Sequence, residues 1–330
     1  MTANKLVLVV FGLAAFASQA NPHGYADWKR KSDDKSRVEG MREGAEFCSR
    51  FVVLDDLGAP VPHADVRVWA FNGSVSEMPF ITGCTDSNGV FLATIRCRYR
   101  IEWVVEKKGY YPSFEKRKVS WTDAVPAVRD GKWQPYGADT GVRLKKIRNP
   151  HGKMMFQSPD GFEIPAFDSW LSFDLEKFDW VKPYGNGVNA DVLLKFRHEK
   201  RGKNSHDYYN RMEVSFTNNP FAGTYVLHKD LWSRFQSVYE ASTNMDYQAS
   251  YVYEQRRYDD PRRDVVRRLE AENYLVFRTR TQVDAQGRLT SAHYGKLYGP
   301  WFGGGKYMKL KGCFFNEVPN DVNLETDLHE

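Results

Sequence analysis

The sequence predicts a mainly β protein, built as an N-terminal β-sandwich followed by a second, larger antiparallel β domain with one short helix. Apolar and polar residues alternate in short runs, as in residues 64–70 and 99–105, and a period of two is typical of strands with one buried face. Turn residues separate these runs at short intervals. The hydrophobic fraction of 42% and the length of 330 residues suit two packed cores.

Residues 1–20 have the three parts of a cleavable signal peptide. Lys5 supplies a positive charge, residues 6–17 form an unbroken apolar run, and Ser18 and Ala20 place small residues before the cleavage site. The apolar run is shorter than the about 20 residues that a helix needs to cross a bilayer. The sequence therefore predicts an exported protein, periplasmic or extracellular, with no membrane span.

Residues 21–46 are polar and charged, and they contain few aliphatic side chains. This composition predicts a tether or a loosely held helix ahead of the first domain. The formal charge of the chain is +5, a small excess that favours solubility and does not indicate a nucleic-acid partner.

Residues 47–148 are predicted to form the first β domain. The hairpin in this region turns at residues 86–89, where Asp86 and Asn88 can bond the local backbone and Gly89 can adopt a positive φ. Strands of this length at this spacing, with no helical period between them, indicate an antiparallel sandwich. The predicted strands lie at 47–56, 64–70, 80–95 (the hairpin), 99–105 and 142–147.

Three motifs in this region occur in a fixed order. They are G-x-P-V-P-x-A-x-V-x-V from Gly58, T-D-S-N-G-V-F from Thr85 and E-K-K-G-Y-Y from Glu106. Over residues 47–120 their order resembles the carboxypeptidase regulatory-like family, whose members are small transthyretin-like (prealbumin-like) sandwiches. The resemblance implies a sandwich fold and an accessory, usually non-catalytic, role, and it implies no active-site residues.

Residues 149–330 are predicted to form the second β domain, whose function the sequence does not name. One short helix is expected at 260–270, with Asp260 as the N-cap and Pro261 at the first position. Stretches beginning at Phe173, Tyr294 and Val318 are similar to segments of exported bacterial proteins of unknown function that carry the same N-terminal module. Strands are expected at 189–197, 211–216, 233–239, 247–253, 273–283 and 289–298.

Four cysteines follow the signal region: Cys48, Cys84, Cys97 and Cys313. An even number in an exported protein predicts disulfides, and four cysteines allow three pairings. Cys84 and Cys97 flank the predicted hairpin and are the expected local pair.

The chain lacks the common catalytic motifs. It has no H-E-x-x-H or H-x-x-E for zinc, no G-x-S-x-G, and no H-x-H step of the kind found in ring-cleaving dioxygenases built on a similar sandwich. His198 and His206, with carboxylates near them, have the ligand types of a metal site, but a solvated loop between two strands is the favoured interpretation. The sequence therefore predicts no catalytic residue, no metal site and no cofactor.

Aromatic residues give the one positive indication of a ligand site. Trp180, Tyr184, Trp232 and Trp301 lie near predicted loops or strand ends, where exposed rings can stack on sugars or contact a protein. The sequence thus predicts a non-enzymatic interaction or scaffold protein with a protein or polysaccharide partner. Two alternatives stay open: carbohydrate binding through exposed aromatics, and a carboxylate-based hydrolase in the C-terminal domain.

Overall fold

The computed structural model describes residues 30–31, 33–74, 78–157, 160–200, 208–216, 220–257, 265–267, 269–299 and 301–327. Within these ranges the chain is mainly β, with several antiparallel sheets, which confirms the predicted fold class. No helix in the described ranges is long and apolar enough to cross a membrane. The predicted signal peptide lies outside the described residues.

The N-terminal sandwich consists of helix α1 and the first nine strands. One sheet has the strand order β4-β1-β8-β7, with β9 paired in parallel to β1, and the other has the order β3-β2-β5-β6. A short 3-10 turn at Val119–Trp121 follows β6. The bounds are α1 (Lys35–Glu43), β1 (Ala45–Asp55), β2 (Asp65–Phe71), β3 (Phe80–Cys84), β4 (Val90–Cys97), β5 (Arg100–Glu106), β6 (Ser113–Arg117), β7 (Val128–Arg129), β8 (Lys132–Trp133) and β9 (Ala138–Leu144).

The core of the N-terminal sandwich lies between these two sheets. In β2 the side chains of Val66 and Val68 are buried whereas that of Arg67 is exposed, because successive side chains of a strand point to opposite faces. The ring of Phe51 from β1 meets Trp103 from β5 edge-on, with centroids 5.7 Å apart. The alternation that predicts the strands therefore also predicts which of their faces is buried.

The turn between β3 and β4 has the structure expected from its sequence. The Asp86 carboxylate accepts hydrogen bonds from the backbone N–H groups of Asn88 at 2.9 Å and Val90 at 2.8 Å. Gly89 has a φ of +73°, and a Cβ there would lie 2.5 Å from the Val53 carbonyl oxygen. Only glycine fits at this position.

Helix α1 lies in the polar segment for which a tether or a loosely held helix is expected. Asp34 caps the helix by accepting a hydrogen bond from the Ser36 backbone N–H at 3.0 Å. The buried Arg37 guanidinium donates to the carbonyl oxygens of Ser120 at 2.8 Å and Thr122 at 3.0 Å. The helix is thus fixed to the sandwich by specific bonds.

Among the described residues, the strands of the C-terminal unit form three sheets. A six-stranded sheet has the order β13-β12-β14-β15-β17-β18, a five-stranded sheet β10-β23-β20-β19-β16, and a three-stranded sheet β11-β22-β21. The bounds are β10 (Met155–Phe156), β11 (Phe162–Glu163), β12 (Trp170–Asp174), β13 (Asp179–Trp180), β14 (Val192–Lys200), β15 (Tyr208–Ser215), β16 (Gly223–His228), β17 (Ser250–Arg257), β18 (Val265–Arg267), β19 (Asn273–Val283), β20 (Leu289–Tyr298), β21 (Phe302–Gly304), β22 (Tyr307–Lys309) and β23 (Gly312–Phe315).

The five-stranded sheet is buried on both faces. In β19, Leu275 and Phe277 belong to the core that also contains residues of the six-stranded sheet. Tyr274 and Val276, on the opposite face, belong to a second core that includes Leu324. Burial on both faces explains why the start of β19 is a continuous run of buried side chains.

Two secondary-structure predictions in this unit are wrong. Part of the expected helix at 260–270 is strand β18, whose residues pair antiparallel with β17. Asp260 and Pro261, the predicted start of the helix, lie outside the described residues. The segment expected to be a strand at 233–239 is irregular, and its Ser233 hydroxyl accepts a hydrogen bond from the Phe235 backbone N–H at 3.2 Å. Local bonds of this kind replace the ladder of a strand.

The predicted Cys84–Cys97 disulfide does not form, and the hairpin predicted at 80–95 is wrong, because β3 pairs with β2 and β4 pairs with β1. All four cysteines are free thiols. Cys84 ends β3 beside the turn, whereas Cys97 ends β4 far from it, and the two strands belong to different sheets. The length of β4 is about 23 Å, compared with about 6 Å between the Cα atoms of a disulfide.

Candidate functional site

The N-terminal sandwich and the C-terminal unit meet where the start of β6 contacts residues 232–234. The Phe114 N–H donates to the Trp232 carbonyl at 2.8 Å, and the Arg234 N–H donates to the Pro112 carbonyl at 2.9 Å. An isolated antiparallel bridge forms between these two bonds. Backbone pairing therefore joins the two units.

A cleft of about 450 Å³, named the junction cleft below, opens beside this contact. A cleft of this size at the contact between two structural units is a typical position for a ligand site. The walls are formed by Tyr110, Tyr111, Pro112, Ile147 and Pro150. The charged residues of the cleft are Asp65, Glu106, Lys107, Lys108, Arg234 and Asp327.

Two carboxylates lie side by side at one edge of the junction cleft. Asp65 of β2 and Glu106 of β5 are directly opposite each other in the antiparallel ladder, and both side chains are exposed. Asp65 also accepts a hydrogen bond from the Cys84 thiol, with 3.3 Å between Sγ and Oδ1. This bond raises the pKa of the thiol, so Cys84 is not an activated nucleophile.

The concave surface continues from the junction cleft onto the outer face of the β3-β2-β5-β6 sheet. A depression of about 310 Å³, named the outer-face depression below, shares Asp65 and Glu106 with the cleft. Its other residues include Arg67, Thr82 and Val104, which come from three neighbouring strands. The two carboxylates thus lie between two connected hollows.

Glu325 anchors the wall of the junction cleft from the C-terminal unit. Its carboxylate is buried and accepts hydrogen bonds from the Tyr111 hydroxyl at 2.9 Å and from the backbone N–H groups of Arg148 at 2.8 Å and Asn149 at 2.6 Å. Burial and the bond to Glu325 raise the pKa of Tyr111. The Tyr111 hydroxyl is therefore a fixed donor within the wall.

Lys296 is a fully buried lysine near Glu325. Its Nζ donates to Ser237 Oγ at 2.9 Å and to the Leu324 carbonyl at 2.7 Å, and it lies 4.8 Å from the centre of the Phe235 ring. Burial lowers the pKa of Lys296 well below its usual range. The lysine therefore links the segments around residues 237 and 324 by hydrogen bonds.

The structure separates the four aromatic residues that the sequence singles out as a ligand site. Trp232 is 51% exposed and belongs to the segment that borders the junction cleft. Tyr184 is 53% exposed in a turn after β13. Trp180 and Trp301 are only 4% and 0% exposed, so the prediction that they form an exposed rim is wrong. Both pack in the core of the C-terminal unit.

Sequence reasoning does not identify most of the junction cleft. Residues 106–112 supply a continuous part of it, and their E-K-K-G-Y-Y motif is noted only for the family resemblance. Arg234 and Asp327 come from distant parts of the chain. No spacing rule connects them to residues 106–112, because only the packing of the two units brings them together.

A second pocket, named the Trp121 pocket below, lies within the N-terminal sandwich. Its volume is about 430 Å³, and its residues include Gln134 and the basic Arg117 and Lys118. The Trp121 side chain is 52% exposed. A flat ring beside amide and charged groups is suited to stacking against a sugar.

A charge cluster in the C-terminal unit surrounds Arg280. The guanidinium pairs with Asp191 at 2.8 Å, with Asp174 at 3.3 Å, and with Glu176. Burial raises the pKa of Asp191 despite this pairing. For Asp174, backbone hydrogen bonds and Arg280 outweigh burial and lower the pKa. The carboxylates are held by Arg280 and backbone donors, so the cluster stabilises the surrounding loops.

The His198 region does not bring together a metal site among the residues that can be described. His198 Nδ1 lies 2.6 Å from Asn210 Oδ1, and His206 lies outside the described residues. Across the described ranges, no group of three or more histidine, cysteine, aspartate and glutamate side chains has an arrangement suited to a metal ion.

Several solved structures align with about a third of this chain. No protein-family model matches the chain, and no curated protein matches it. A chlorocatechol 1,2-dioxygenase structure from Pseudomonas putida aligns with 32% of this chain and 61% of its own, with 12% identity and a TM-score of 0.25. Catechol 1,2-dioxygenase from Acinetobacter radioresistens aligns with 37% of this chain and 68% of its own, with 15% identity and a TM-score of 0.25. Likeness at this level carries no functional argument.

Proposed function

We propose that this chain is an exported, non-enzymatic interaction protein that binds its partner at the junction cleft. The observation that carries the proposal is the cleft of about 450 Å³ between the two units. Contacts between structural units are a preferred position for binding sites. The exposed Trp232 lies two residues before Arg234, which lines the cleft, and offers a large contact surface to a partner.

The composition of the junction cleft suits a protein partner. Tyr110, Pro112 and Ile147 provide apolar contact area at little cost in side-chain entropy, since rings and proline have few rotatable bonds. Charges of both signs surround this area, among them Lys108 and Glu106. Mixed charges around an apolar centre favour a specific orientation of the bound partner.

Export and membership of the carboxypeptidase regulatory-like family are part of the same proposal. Export rests on the signal-peptide pattern of residues 1–20, and the free thiols add nothing to it. Family membership rests on the three ordered motifs between Gly58 and Tyr111, and the pair of facing sheets is consistent with it. An accessory module of this kind would position the larger unit or its partner.

Carbohydrate binding is the second candidate function, and one observation favours it. The Trp121 pocket combines a half-exposed indole ring with Gln134, Arg117 and Lys118. A sugar ring could stack on Trp121 while its hydroxyl groups bond to these polar side chains.

The hydrolase alternative has less support. A glycosidase needs one protonated carboxyl group sheltered from water beside a second, ionised one. Asp65 and Glu106 are adjacent, but both are exposed. The buried carboxylates near Arg280 are bonded to that guanidinium.

A parallel screen tests the proposal. The protein from residue 21 onward is immobilised and exposed to a random peptide library and to a glycan array, together with the variants Tyr110→Ala, Trp121→Ala and Tyr184→Ala. We expect peptide binding that weakens about tenfold in Tyr110→Ala, because truncating a central aromatic contact has an effect of this size. Tyr184→Ala is the matched control, since this exposed tyrosine does not line the cleft.

The other outcomes are equally informative. Glycan binding that is lost in Trp121→Ala would replace the proposal with carbohydrate recognition. Binding to neither library would contradict an interaction role at the junction cleft.

A further inference from the structure

Strand β3 is an open edge of the N-terminal sandwich. In the described part of the chain it pairs only with β2. The hydrogen bond from the Thr85 N–H to the Ala64 carbonyl, at 3.0 Å, shows which positions face β2. Because bonded and open positions alternate along an antiparallel strand, the N–H and C=O groups of Phe80, Thr82 and Cys84 point away from β2.

Strand β3 also lacks the usual protection of an edge. Its sequence, Phe-Ile-Thr-Gly-Cys, contains no charge and no proline, and Phe80 is 61% exposed. Edge strands are normally protected from further pairing by charges, prolines, bulges or covering segments. Two other edges of the sandwich have such protection. Arg96 of β4 bonds to the Glu43 carbonyl of α1, and β6 carries Lys116 and Arg117.

We propose that β3 accepts an extended segment of a protein partner as an additional strand, with a lysine or arginine side chain placed in the outer-face depression. The inference rests on the proposed interaction function and specifies the chemistry of the partner. In strand addition, main-chain hydrogen bonds supply affinity and alternate side chains supply specificity. The open groups of Phe80, Thr82 and Cys84 provide the bonds, and the outer-face depression provides the specificity.

The charges of the outer-face depression select a basic side chain. Asp65 lies directly opposite Cys84, and Glu106 lies directly opposite Asp65. These three residues therefore form a row across the sheet that starts at Cys84 on the open edge. Neighbouring strands are about 4.8 Å apart, so a lysine or arginine beside Cys84 can reach Asp65 across a single strand. Arg67 belongs to the next row, where its guanidinium lies 5.5 Å from the centre of the Trp69 ring.

A second copy of this chain fits the edge less well than a separate partner. Two β3 strands could pair edge to edge, but each would present only the uncharged side chains of Phe80, Thr82 and Cys84 to the other. The two carboxylates of the outer-face depression would then lack a basic group from β3. Charge complementarity therefore favours a different, basic segment.

Peptide selection with a blocked edge tests the inference. A random heptapeptide library is selected on the wild-type protein, and the affinity of a synthetic copy of the most enriched peptide is measured on variants. Thr82→Pro removes an outward N–H and leaves the bonds to β2 intact, whereas Thr82→Val keeps the N–H. We expect lysine- or arginine-containing peptides, a loss of about tenfold in affinity for Thr82→Pro, and no change for Thr82→Val.

Two further measurements keep the test independent of how Thr82→Pro folds. N-methylation of the alternate peptide residues whose N–H groups face β3 should abolish binding to the wild-type protein, whereas N-methylation of the intervening residues should not. Glu106→Gln should weaken binding of the basic peptide. It should not weaken binding of the same peptide with norleucine in place of its lysine or arginine.

Three outcomes would overturn the inference. A peptide that binds folded Thr82→Pro as tightly as the wild type excludes strand addition, while its weakening by Tyr110→Ala would keep the proposed function. Failure to enrich any peptide would contradict both the strand-addition inference and the proposed function. A dimer in analytical ultracentrifugation that is lost in Thr82→Pro would assign the edge to a second copy.

Discussion

Trp301 packs against the rings of Tyr251 and Tyr253, with centroids 6.1 and 6.5 Å away, and its side chain is 0% exposed. Replacing it leaves a cavity, so we expect Trp301→Ala to lower the free energy of unfolding by about 3–5 kcal/mol, measured by urea denaturation. Tyr184→Ala, at an exposed ring, should change it by no more than about 0.5 kcal/mol. Equal stability of Trp301→Ala and the wild type would contradict the core position of this residue.

Lys229 predicts a pH dependence of stability. It is buried, and burial lowers its pKa to about 8, with Lys311 contributing; an unfolded lysine has a pKa of about 10.4. Between about pH 8 and about pH 10.4, Lys229 is protonated in the unfolded chain but deprotonated in the folded protein. The folded state is therefore penalised as the pH falls from about 10.4 to about 8, and the penalty is complete below that range.

The Lys229→Met variant removes this penalty. We expect its free energy of unfolding, relative to the wild type, to be higher at about pH 7.5 than at about pH 10.5. The lost hydrogen bond to the Ala271 carbonyl adds an offset, and the difference between the two pH values reports the titration. Lys306→Met, at an exposed lysine, is the control. A difference that does not change with pH would show that Lys229 titrates alike in both states.

Helix α1 is fixed to the N-terminal sandwich by hydrogen bonds and is not a flexible tether. Arg37 is 5% exposed and donates to three backbone carbonyls of the segment after β6, whereas Arg42 of the same helix is exposed. Loss of charged donors leaves these carbonyls unpaired, so we expect Arg37→Ala to lower the free energy of unfolding by about 2–3 kcal/mol. Arg42→Ala should have little effect. Chemical denaturation measures the free energy of unfolding of both variants. Equal values would mean that the bonds of Arg37 do not fix the helix to the sandwich.

The elements differ in how far the sequence predicts them, for physical reasons. Alternation over residues 64–70 predicts β2, because burial of one strand face leaves a period of two in the sequence. The run of strand-forming residues at 273–283 predicts β19, whose first half is buried on both faces. The helix expected at 260–270 fails because its cap and charge pattern are local, while β18 depends on pairing with β17. The short strand β16 is missed for the same reason, since its position is set by β19.

At the scale of the whole molecule, the junction cleft depends on how the two units are arranged. Residues 106–112 form one wall, and Arg234 and Asp327 approach from the C-terminal unit. Sequence reasoning finds Trp232 through its residue type alone and cannot place it beside β6, because the ladder bonds at the junction join residues more than a hundred positions apart. The same absence of long-range information makes Trp301 resemble an exposed aromatic, although it is buried.

Glu325 ties the two units together, and its removal should uncouple their unfolding. Its buried carboxylate accepts bonds from Tyr111 of the N-terminal sandwich and from the backbone of Arg148 and Asn149. Glu325→Ala leaves these donors unpaired at the junction, while each unit keeps its own core. We expect one calorimetric transition in the wild type and two separate transitions in Glu325→Ala. Glu317→Ala, at an exposed glutamate of the C-terminal unit, should keep the single transition. A single, unshifted transition in Glu325→Ala would mean that the backbone pairing between β6 and residues 232–234 is enough to couple the two units.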